Sequence, residues 1–594
     1  MSYLDVPRLH FAGTFRADPS TVNNVPSNYD PQVFNPNPSW NPNGTGQWQF
    51  LNCTVQSVVY TDGTICTESS EDSVIGSPVQ GTDQPAVAKL VDLDPEQQMV
   101  SEIWGFHVQL GSASGPDSFV GDFEVAAFSD IWFRAMGGGG GDAPMGAFYQ
   151  SVLTALKWSN VSNSRFLKEL MKASSNQLSI KFNLDGINMN SSSPNFTLGR
   201  IVGTIGPVTK GEPKHFVLGR ILRSAPGTST DPNLQPMVLQ GAPPASPMFF
   251  APCRVDEKRM RVLLDLGNSI STTTPGGPVN PALGDLRFAI LPPYAPPVLL
   301  GKVNYQETNW YKTTAGIQEF PITNEQLTQL AETPLGIVRI NADETISQPL
   351  LEENSSGLYL RADSFVFRLN PGESAEVNLT ATQFGRRAPK QKITLVQDSS
   401  SVDQMQSPPN PQNIPTGTPA TALTFPSSVV TDKNGQAAFT LKASDPGNPR
   451  QFIDGQVYGV AYQLEARAAT ANYNHDPSNF ISVLVFNSYP QPDQPTWKDV
   501  QPIFAQYAKL YPYMTTAVGI NLASYADVKK NLSAIQQALM LPKSDPRYMQ
   551  VTRDMSRDKL SLITRWIKAG APPDPNSGPV AIILSWVNTN ESSP

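Results

Sequence analysis

Proline is unusually frequent in this chain of 594 residues, which contains 55 prolines beside 42 glycines. Proline lacks the backbone N–H that helices and central strands use, and glycine permits tight turns. Long helices are therefore improbable, and the sequence predicts short strands joined by turns. Charged residues make up only 16% of the chain, whereas disorder usually requires high charge. We expect a mainly β chain of about two to four domains.

Charge and hydropathy exclude two classes of partner. The net charge of −8 argues against nucleic acid, because binding to phosphates requires clustered Lys and Arg. The longest apolar runs, such as Ala581–Leu584, are far shorter than the roughly 20 residues that span a bilayer. Because the N-terminus lacks a basic and apolar signal peptide, we expect a cytoplasmic location, with non-classical export left open. An oligomer is compatible with the sequence.

The chain divides into three regions by its periodicity. Residues 1–350 show alternating runs typical of a β-barrel or β-sandwich body, with one or two short helices expected near 143–172. Residues 375–488 are predicted to form a separate β-sandwich, in which Asn434-Gly435 favours a tight hairpin. Residues 497–594 follow a Pro-rich linker and have helical periodicity. We expect this helical tail to pack back onto the body.

A run of five glycines, Gly137–Gly141, precedes the segment that we predict to be helical. A glycine-rich loop can bind phosphate at a helix N-terminus. The spacing here matches neither the P-loop nor the dinucleotide-binding pattern. A flexible or tight turn is therefore the favoured interpretation.

Residues that could carry chemistry are few and scattered. Cys53, Cys66 and Cys253 match no zinc-site spacing, and we expect unpaired thiols, although a hairpin at Asp62-Gly63 could bring Cys53 near Cys66. Gly111–Gly115 is displaced from the spacing of a nucleophile elbow. The sequence therefore indicates no catalytic residue and no metal site. The remaining candidates are four histidines and four acidic residues: His10, His107, His215 and His475, and Asp5, Asp92, Asp94 and Glu102.

The N-terminus, Ser2 to Gly13, reads S-x-L-D-x-P-R-x-H-F-x-G. It resembles the start of the violacein-pathway iminophenyl-pyruvate dimer synthases and the related chromopyrrolate synthases. Weaker resemblances to this family occur at VDLDP (91–95), SGLYLRAD (356–363) and RYMQVTRDMS (547–556). The stretch from Thr431 to Phe439, T-D-x-N-G-x-A-x-F, is similar to bacterial Ig-like modules.

The family resemblance implies a haem-associated pathway enzyme whose ferritin-like domain holds iron. That domain requires Glu-x-x-His pairs on helices. The one such pair here, Glu212 with His215, contains Pro213, so we expect the carboxylate–iron site to be missing. If haem binds, as the resemblance alone implies, His10 is the residue carried over from the family pattern.

Three functions remain open from the sequence. The first is an accessory protein, related to enzymes of tryptophan-derived pigment synthesis, that binds an aromatic or indole-type molecule or a partner protein. The second is an enzyme that couples reactive imines, for which exclusion of water can direct the products. The third is a structural or surface assembly protein.

Overall fold

We describe the fold from a computed structural model of the chain. It describes residues 2–575 except 19–28, 31–40, 42–43, 84–85, 96, 98–99, 113–114, 136–140, 210, 225–246, 400–414 and 466–479. The described residues form two curled β-sheets, a β-sandwich and a C-terminal group of short helices. The predicted mainly β fold class is therefore confirmed.

The first sheet has thirteen strands and one accompanying helix. They are β1 (Arg8–Asp18), β2 (Gln47–Val59), β3 (Ile65–Cys66), β4 (Val79–Gly81), β5 (Ala88–Asp92), β6 (Ser101–Trp104), β7 (His107–Leu110), β8 (Phe119–Phe123), β9 (Ala126–Ala127), β10 (Ser129–Phe133), β11 (Met145–Trp158), α1 (Arg165–Ala173), β12 (Leu178–Asp185) and β13 (Leu198–Pro207).

This sheet closes on itself as a barrel, in the order β4-β7-β8-β11-β12-β13-β1-β2. The barrel closes between its end strands, β2 and β4. A β-bridge pairs Thr54 of β2 with Pro78, which precedes β4, and the Val55 amide donates to the Ser77 carbonyl at 3.0 Å. The interior is packed with aromatic rings: Trp48 stacks on Phe15 and Phe182 at centroid distances of 5.4 and 6.0 Å. The barrel is a filled core, and strands β5, β6 and β9 extend the sheet beyond β2.

The predicted helix that begins near residue 143 is wrong, because Met145–Trp158 is strand β11. Its residues from Gly146 to Leu153 are all buried, so both faces of the strand are covered and its apolar positions also match a helical stripe. Antiparallel pairing with β8 and β12 decides the outcome. The short helix of this region is α1, capped by Ser164.

The second sheet forms another curled unit of eight strands, with two short helices. Its elements are β14 (Arg220–Ser224), β15 (Phe250–Asp256), β16 (Arg261–Asp265), β17 (Asp285–Ile290), β18 (Val298–Lys302), α2 (Trp310–Thr314), β19 (Ile317–Pro321), α3 (Asn324–Leu330), β20 (Leu335–Ile340) and β21 (Leu351–Glu353). The end strands β18 and β19 meet through Gln318, whose amide donates to the Lys302 carbonyl at 2.7 Å. We call the two curled units the first and second barrels.

The β-sandwich consists of two five-stranded sheets around one apolar core. The strands are β22 (Leu358–Ala362), β23 (Val366–Leu369), β24 (Ser374–Gln383), β25 (Arg386–Arg387), β26 (Lys392–Gln397), β27 (Leu423–Thr424), β28 (Ser428–Val430), β29 (Gln436–Ala443), β30 (Gln456–Leu464) and β31 (Phe480–Val485).

The strand order of the sandwich is that of an Ig-like domain. One sheet runs β22-β24-β29-β27 and the other β23-β31-β30-β26-β28, which corresponds to the ABED and GFC sheets. The chain changes sheet between β22 and β23, and β23 pairs parallel to the last strand. The sandwich therefore begins at Leu358, before the expected boundary at 375. The predicted tight turn forms, with Gly435 at φ 67° and its amide donating to the Asp432 carbonyl at 3.0 Å. The predicted hairpin is wrong, because β28 and β29 lie in different sheets of the sandwich.

Five helices follow the sandwich within residues 486–575: α4 (Trp497–Leu510), α5 (Pro512–Thr516), α6 (Tyr525–Lys530), α7 (Leu532–Met540) and α8 (Arg557–Lys568). Trp566 is fully buried and packs between Trp497 and Phe504. The backbone amides of Ser556 and Arg557 donate to Asp454 and Asn370 of the sandwich at 3.2 and 2.8 Å. No helix in the described part of the chain is long and apolar enough to cross a membrane.

Candidate functional site

The N-terminal segment from Ser2 to Gly13 lies between the two barrels. On strand β1, Leu9 and Phe11 belong to the core of the first barrel, whereas Ala12 belongs to the core of the second. Gly13 is required because a Cβ there would lie 2.6 Å from the Cα of Cys53. The family-like pattern therefore coincides with the contact between the barrels.

His10 is 2% exposed and bonded through both ring nitrogens. Its Nδ1 lies 2.9 Å from the Thr204 hydroxyl, and Arg8 Nε donates to its Nε2 at 3.4 Å. An acceptor Nε2 requires a neutral ring that is protonated at Nδ1. Burial, and then the charge of Arg8, hold the pKa of His10 well below its usual value. Because a metal-ligating histidine needs a free nitrogen lone pair, this residue does not fit a haem ligand.

Arg8 anchors β1 to the second barrel. Its guanidinium donates to the Leu4 carbonyl at 2.7 Å and to Glu319 of β19 at 2.9 Å. Asp5 caps the Ser2 amide at 2.7 Å and lies 3.4 Å from Arg254 of β15. Charged residues of the family-like pattern are thus used in ion pairs that hold the barrels together.

A second buried ion pair lies beside His10. Lys181 Nζ on β12 is 2.5 Å from Asp265 Oδ2 at the end of β16, and the Tyr3 hydroxyl donates to the same oxygen at 2.7 Å. The three side chains are at most 3% exposed. Burial lowers the pKa of Lys181. Burial, and then the charge of Asp265, raise the pKa of Tyr3. We call Tyr3, Arg8, His10, Lys181, Thr204, Asp265 and Glu319 the inter-barrel cluster.

The cluster continues into a group of two arginines around one carboxylate. Arg134 and Arg200 both pair with Asp185, Arg134 at 3.3 Å. The two guanidiniums each lie 4.8 Å from the centre of the Tyr311 ring. Burial alone would raise the pKa of Asp185, but Arg200 and Arg134 lower it. This arrangement keeps all three groups charged inside the protein.

Sequence reasoning missed Lys181, Asp185 and Asp265. A signal was present in LSIKFNLD, residues 178–185, where Lys181, Asn183 and Asp185 alternate with apolar residues. In a strand these three share one face. Because all three are buried, that polar face packs against another part of the protein and not against water.

The acidic candidates Asp92, Asp94 and Glu102 do not form one acidic site. Glu102 pairs with Arg368 of the sandwich, and Asp94 pairs with Arg450. Asp92 accepts a hydrogen bond from Ser101 of the neighbouring strand. Among the described residues no group of three or more His, Cys, Asp or Glu could hold a metal ion. Most of these carboxylates join the first sheet to the sandwich.

The remaining candidates are dispersed. His107 contacts Asp122 at 2.6 Å near the surface, and His215 lies 2.8 Å from the Asp363 carbonyl. Cys53, Cys66 and Cys253 are buried and unpaired. His475 and Gly137–Gly140 lie outside the described residues. The segment after the glycine run is a strand, so a phosphate site at a helix N-terminus is not formed there.

A cleft of about 150 Å³ separates the second barrel from the sandwich. Its walls combine apolar side chains from α3 and the β24–β25 turn with charged groups from β15 and β25. Its lining comprises Leu218, Gly219, Arg254, Val255, Glu257, Leu327, Leu330, Ala331, Phe384, Gly385 and Arg386. Arg386 and Glu257 form an exposed ion pair at 2.9 Å beside it.

No family model and no curated protein matches the chain. Solved structures show low similarity. The Bacteroides thetaiotamicron EndoBT-3987 structure with Man5GlcNAc product is 10% identical over 23% of this chain and 34% of its own, at a TM-score of 0.16. The D0-D1 domain of intimin is 11% identical over 38% of this chain and 87% of its own, at a TM-score of 0.14.

The S-layer protein rSbsC(31-844) is 10% identical over 70% of this chain and 50% of its own, also at a TM-score of 0.14. The chain thus spans about a third of the first of these structures and half of the last. Scores this low assign neither a family nor a function.

Proposed function

We propose that the chain is an accessory protein, related to enzymes of tryptophan-derived pigment synthesis, that binds a small aromatic molecule in the cleft between the second barrel and the sandwich. The observation that carries this proposal is the composition of the cleft. Leu327, Leu330 and Phe384 provide apolar contact area, while Arg254 and Arg386 provide cationic groups. This combination suits a planar ring that bears a carboxylate.

The size of the cleft limits the ligand. An apolar cavity of roughly 150 Å³ holds one benzene-sized ring. A cleft of about 150 Å³ that is open to solvent suits one aromatic ring system, with its polar part at the opening. A dimeric product with two indole groups exceeds this space, so a monomeric aromatic acid is the expected class.

The arrangement of ionisable residues supports an accessory role. Lys181, Asp265, Arg8 and Glu319 are held in ion pairs between the barrels, and the first barrel interior is packed with aromatic rings. A catalytic group must reach its substrate. Side chains that are buried and paired in this way stabilise the assembly of the folded units and leave surface clefts for binding.

Binding of indole-3-acetate to the full chain, measured by calorimetry, tests the proposal. We expect saturable binding that Ala331→Trp abolishes by filling the cleft. Arg386→Ala should weaken it by about three- to tenfold. Arg165→Ala is the matched control, because Arg165 is also an exposed arginine in a surface ion pair, with Asp62. Absence of binding, or equal binding by the wild type and Ala331→Trp, would contradict the proposal.

An enzyme that directs coupling of reactive imines is the second candidate. The resemblance of Ser2 to Gly13 to the coupling enzymes favours it, and a cleft that excludes water can direct the coupling of reactive intermediates without a catalytic side chain. The assay incubates the chain with an amino-acid oxidase and tryptophan and measures dimeric products. A product distribution that changes with wild-type protein but not with Ala331→Trp, which fills the cleft, would support this candidate over the accessory role.

A further inference from the structure

A group of cationic side chains surrounds Trp104 where the first sheet, the sandwich and the loop between α7 and α8 meet. Lys89 is the cross-strand neighbour of Trp104 in the β5–β6 ladder. Arg368 comes from β23, and Lys543 and Arg553 come from the loop. Gly105 permits the loop to approach, because a Cβ there would lie 2.7 Å from Pro546 Cδ. We call these five side chains, Trp104, Lys89, Arg368, Lys543 and Arg553, the Trp104 junction.

Arg553 is fully buried without a carboxylate partner among the described residues. Its guanidinium donates only to backbone carbonyls, those of Lys543, Val551 and Asp545, at 3.2, 2.5 and 3.1 Å. Its carbon Cζ lies 5.4 Å from the centre of the Trp104 ring. A buried charge without a counterion is costly. Desolvation, and then Arg368, lower the pKa of Arg553 to about 10.

Two buried donors beside Arg553 have no hydrogen-bond partner within the described part of the chain. They are Nε1 of Trp104 and Nε of Arg368, whose side chain is only 7% exposed. The Arg368 guanidinium lies 5.6 Å from the centre of the Trp104 ring. Buried donors are normally satisfied. The Trp104 indole thus has two guanidiniums close to its ring and an unused N–H of its own.

Two lysines add positive charge to the same place. Lys89 is mostly buried and donates to the Thr45 carbonyl at 2.9 Å. Desolvation, and then Arg553, lower its pKa to about 8. Lys543 lies over the Phe486 ring at 5.7 Å, and desolvation, and then Arg368, lower its pKa. Neither lysine forms an ion pair with any described residue.

The carboxylates around the junction do not neutralise it. Glu102 pairs with Arg368, and Asp18 is occupied by Asn41 and Thr45. Glu373 pairs with Arg557. Asp554 accepts a hydrogen bond from the Tyr507 hydroxyl at 3.1 Å. Among the described residues, Glu102 is therefore the one carboxylate that forms an ion pair with a cation of the junction.

We infer that the Trp104 junction is a binding site for an oxyanion, of the phosphate or polycarboxylate class. The unused N–H groups of Trp104 and Arg368 donate to its oxygens, and Lys89, Lys543 and Arg553 supply the countercharge. A bound oxyanion would compensate the buried guanidinium of Arg553 and join three parts of the chain. The site is independent of the cleft proposed above, from which its residues are absent.

Inorganic phosphate and citrate, titrated separately into the full chain, test the inference. Binding to the native state raises the melting temperature with ligand concentration, and ³¹P line broadening reports phosphate contact directly. We expect Lys543→Gln to weaken binding by about tenfold, and Lys89→Gln to do likewise. These lysines are partly exposed and make no ion pair with a described residue, so both variants should fold. The stronger of the two probes identifies the ligand class.

Lys392→Gln is the matched control, since it removes an exposed lysine of the sandwich that pairs with Glu465 at 2.9 Å. It should leave phosphate and citrate binding unchanged. The inference is overturned if neither probe binds, or if Lys392→Gln weakens binding as much as Lys543→Gln does. Failure here leaves the indole-3-acetate result unaffected, because that experiment uses variants of the cleft.

Discussion

Arg450 and Asp94 form a bidentate ion pair between the sandwich and the first sheet, with N–O distances of 2.7 and 2.8 Å. Their side chains are 0% and 2% exposed. Arg450 also donates to the Gly455 carbonyl at 2.7 Å. The arginine is therefore held by its own domain while it binds a carboxylate of another.

Removing one partner of this pair should strongly destabilise the protein. Asp94→Asn leaves the buried Arg450 guanidinium without its counterion, so we expect the free energy of unfolding to fall by about 3–5 kcal/mol. Urea denaturation followed by tryptophan fluorescence measures the change. Glu465→Gln, which breaks the exposed pair with Lys392, should have little effect. Similar midpoints for the two variants would show that the buried pair does not hold the units together.

His10 should make stability depend on acid pH. Unfolded histidine takes up a proton near pH 6.5, whereas burial holds the pKa of folded His10 well below that value. The unfolded state therefore binds more protons below about pH 6.5, and the stability contributed by neutral His10 is lost as the pH falls through that window.

Urea midpoints at about pH 7.5 and about pH 5 test this sign. The decrease should be smaller for His10→Gln than for the wild type. His107→Gln is the control, since His107 lies near the surface beside Asp122, and it should keep the wild-type decrease. An unchanged pH dependence in His10→Gln would show that His10 is accessible to protons in the folded chain.

The cysteines should be unreactive in the native protein. Burial raises the pKa of Cys53 and Cys253 to about 12, and the thiolate is the reactive form. Iodoacetamide at about pH 8 should label none of the three buried cysteines before unfolding and all of them in urea, as read by mass spectrometry. Labelling of native Cys53 at the rate of a small free thiol would contradict its burial.

The helices after the sandwich should be needed for the stability of the whole chain. Deletion after Pro495 removes the groups that bond Asp454 and Asn370 and uncovers Ile453, which shares a core with α4 and α8. We expect a lower melting temperature and poorer solubility, because burial of each large apolar side chain contributes roughly 1.5–3 kcal/mol. A truncated chain that kept the parent melting temperature would identify the helices as an autonomous module.

Local features of the sequence determined the class of fold and several of its turns. Frequent proline, with alternating apolar residues, predicted short strands, and Asn434-Gly435 predicted the tight turn between β28 and β29. The sequence did not show that this turn carries the chain from one sheet to the other. Ser524 belongs to the residue types preferred at helix starts, and it caps α6 by accepting from the Asp527 amide. These features depend on the conformational preferences of neighbouring residues, which the sequence contains directly.

Only the tertiary structure decided the conformation of Met145–Trp158 and the partners of His10, Asp94, Lys181 and Arg553. The strand is selected by pairing with β8 and β12. The fold also decides whether a charged residue meets a counterion, as Asp94 and Lys181 do, or lacks one among the described residues, as Arg553 does. Lys181 meets Asp265, which lies 84 positions further along the chain. Such contacts depend on how whole barrels pack against each other, and the spacing of residues along the chain does not indicate that packing.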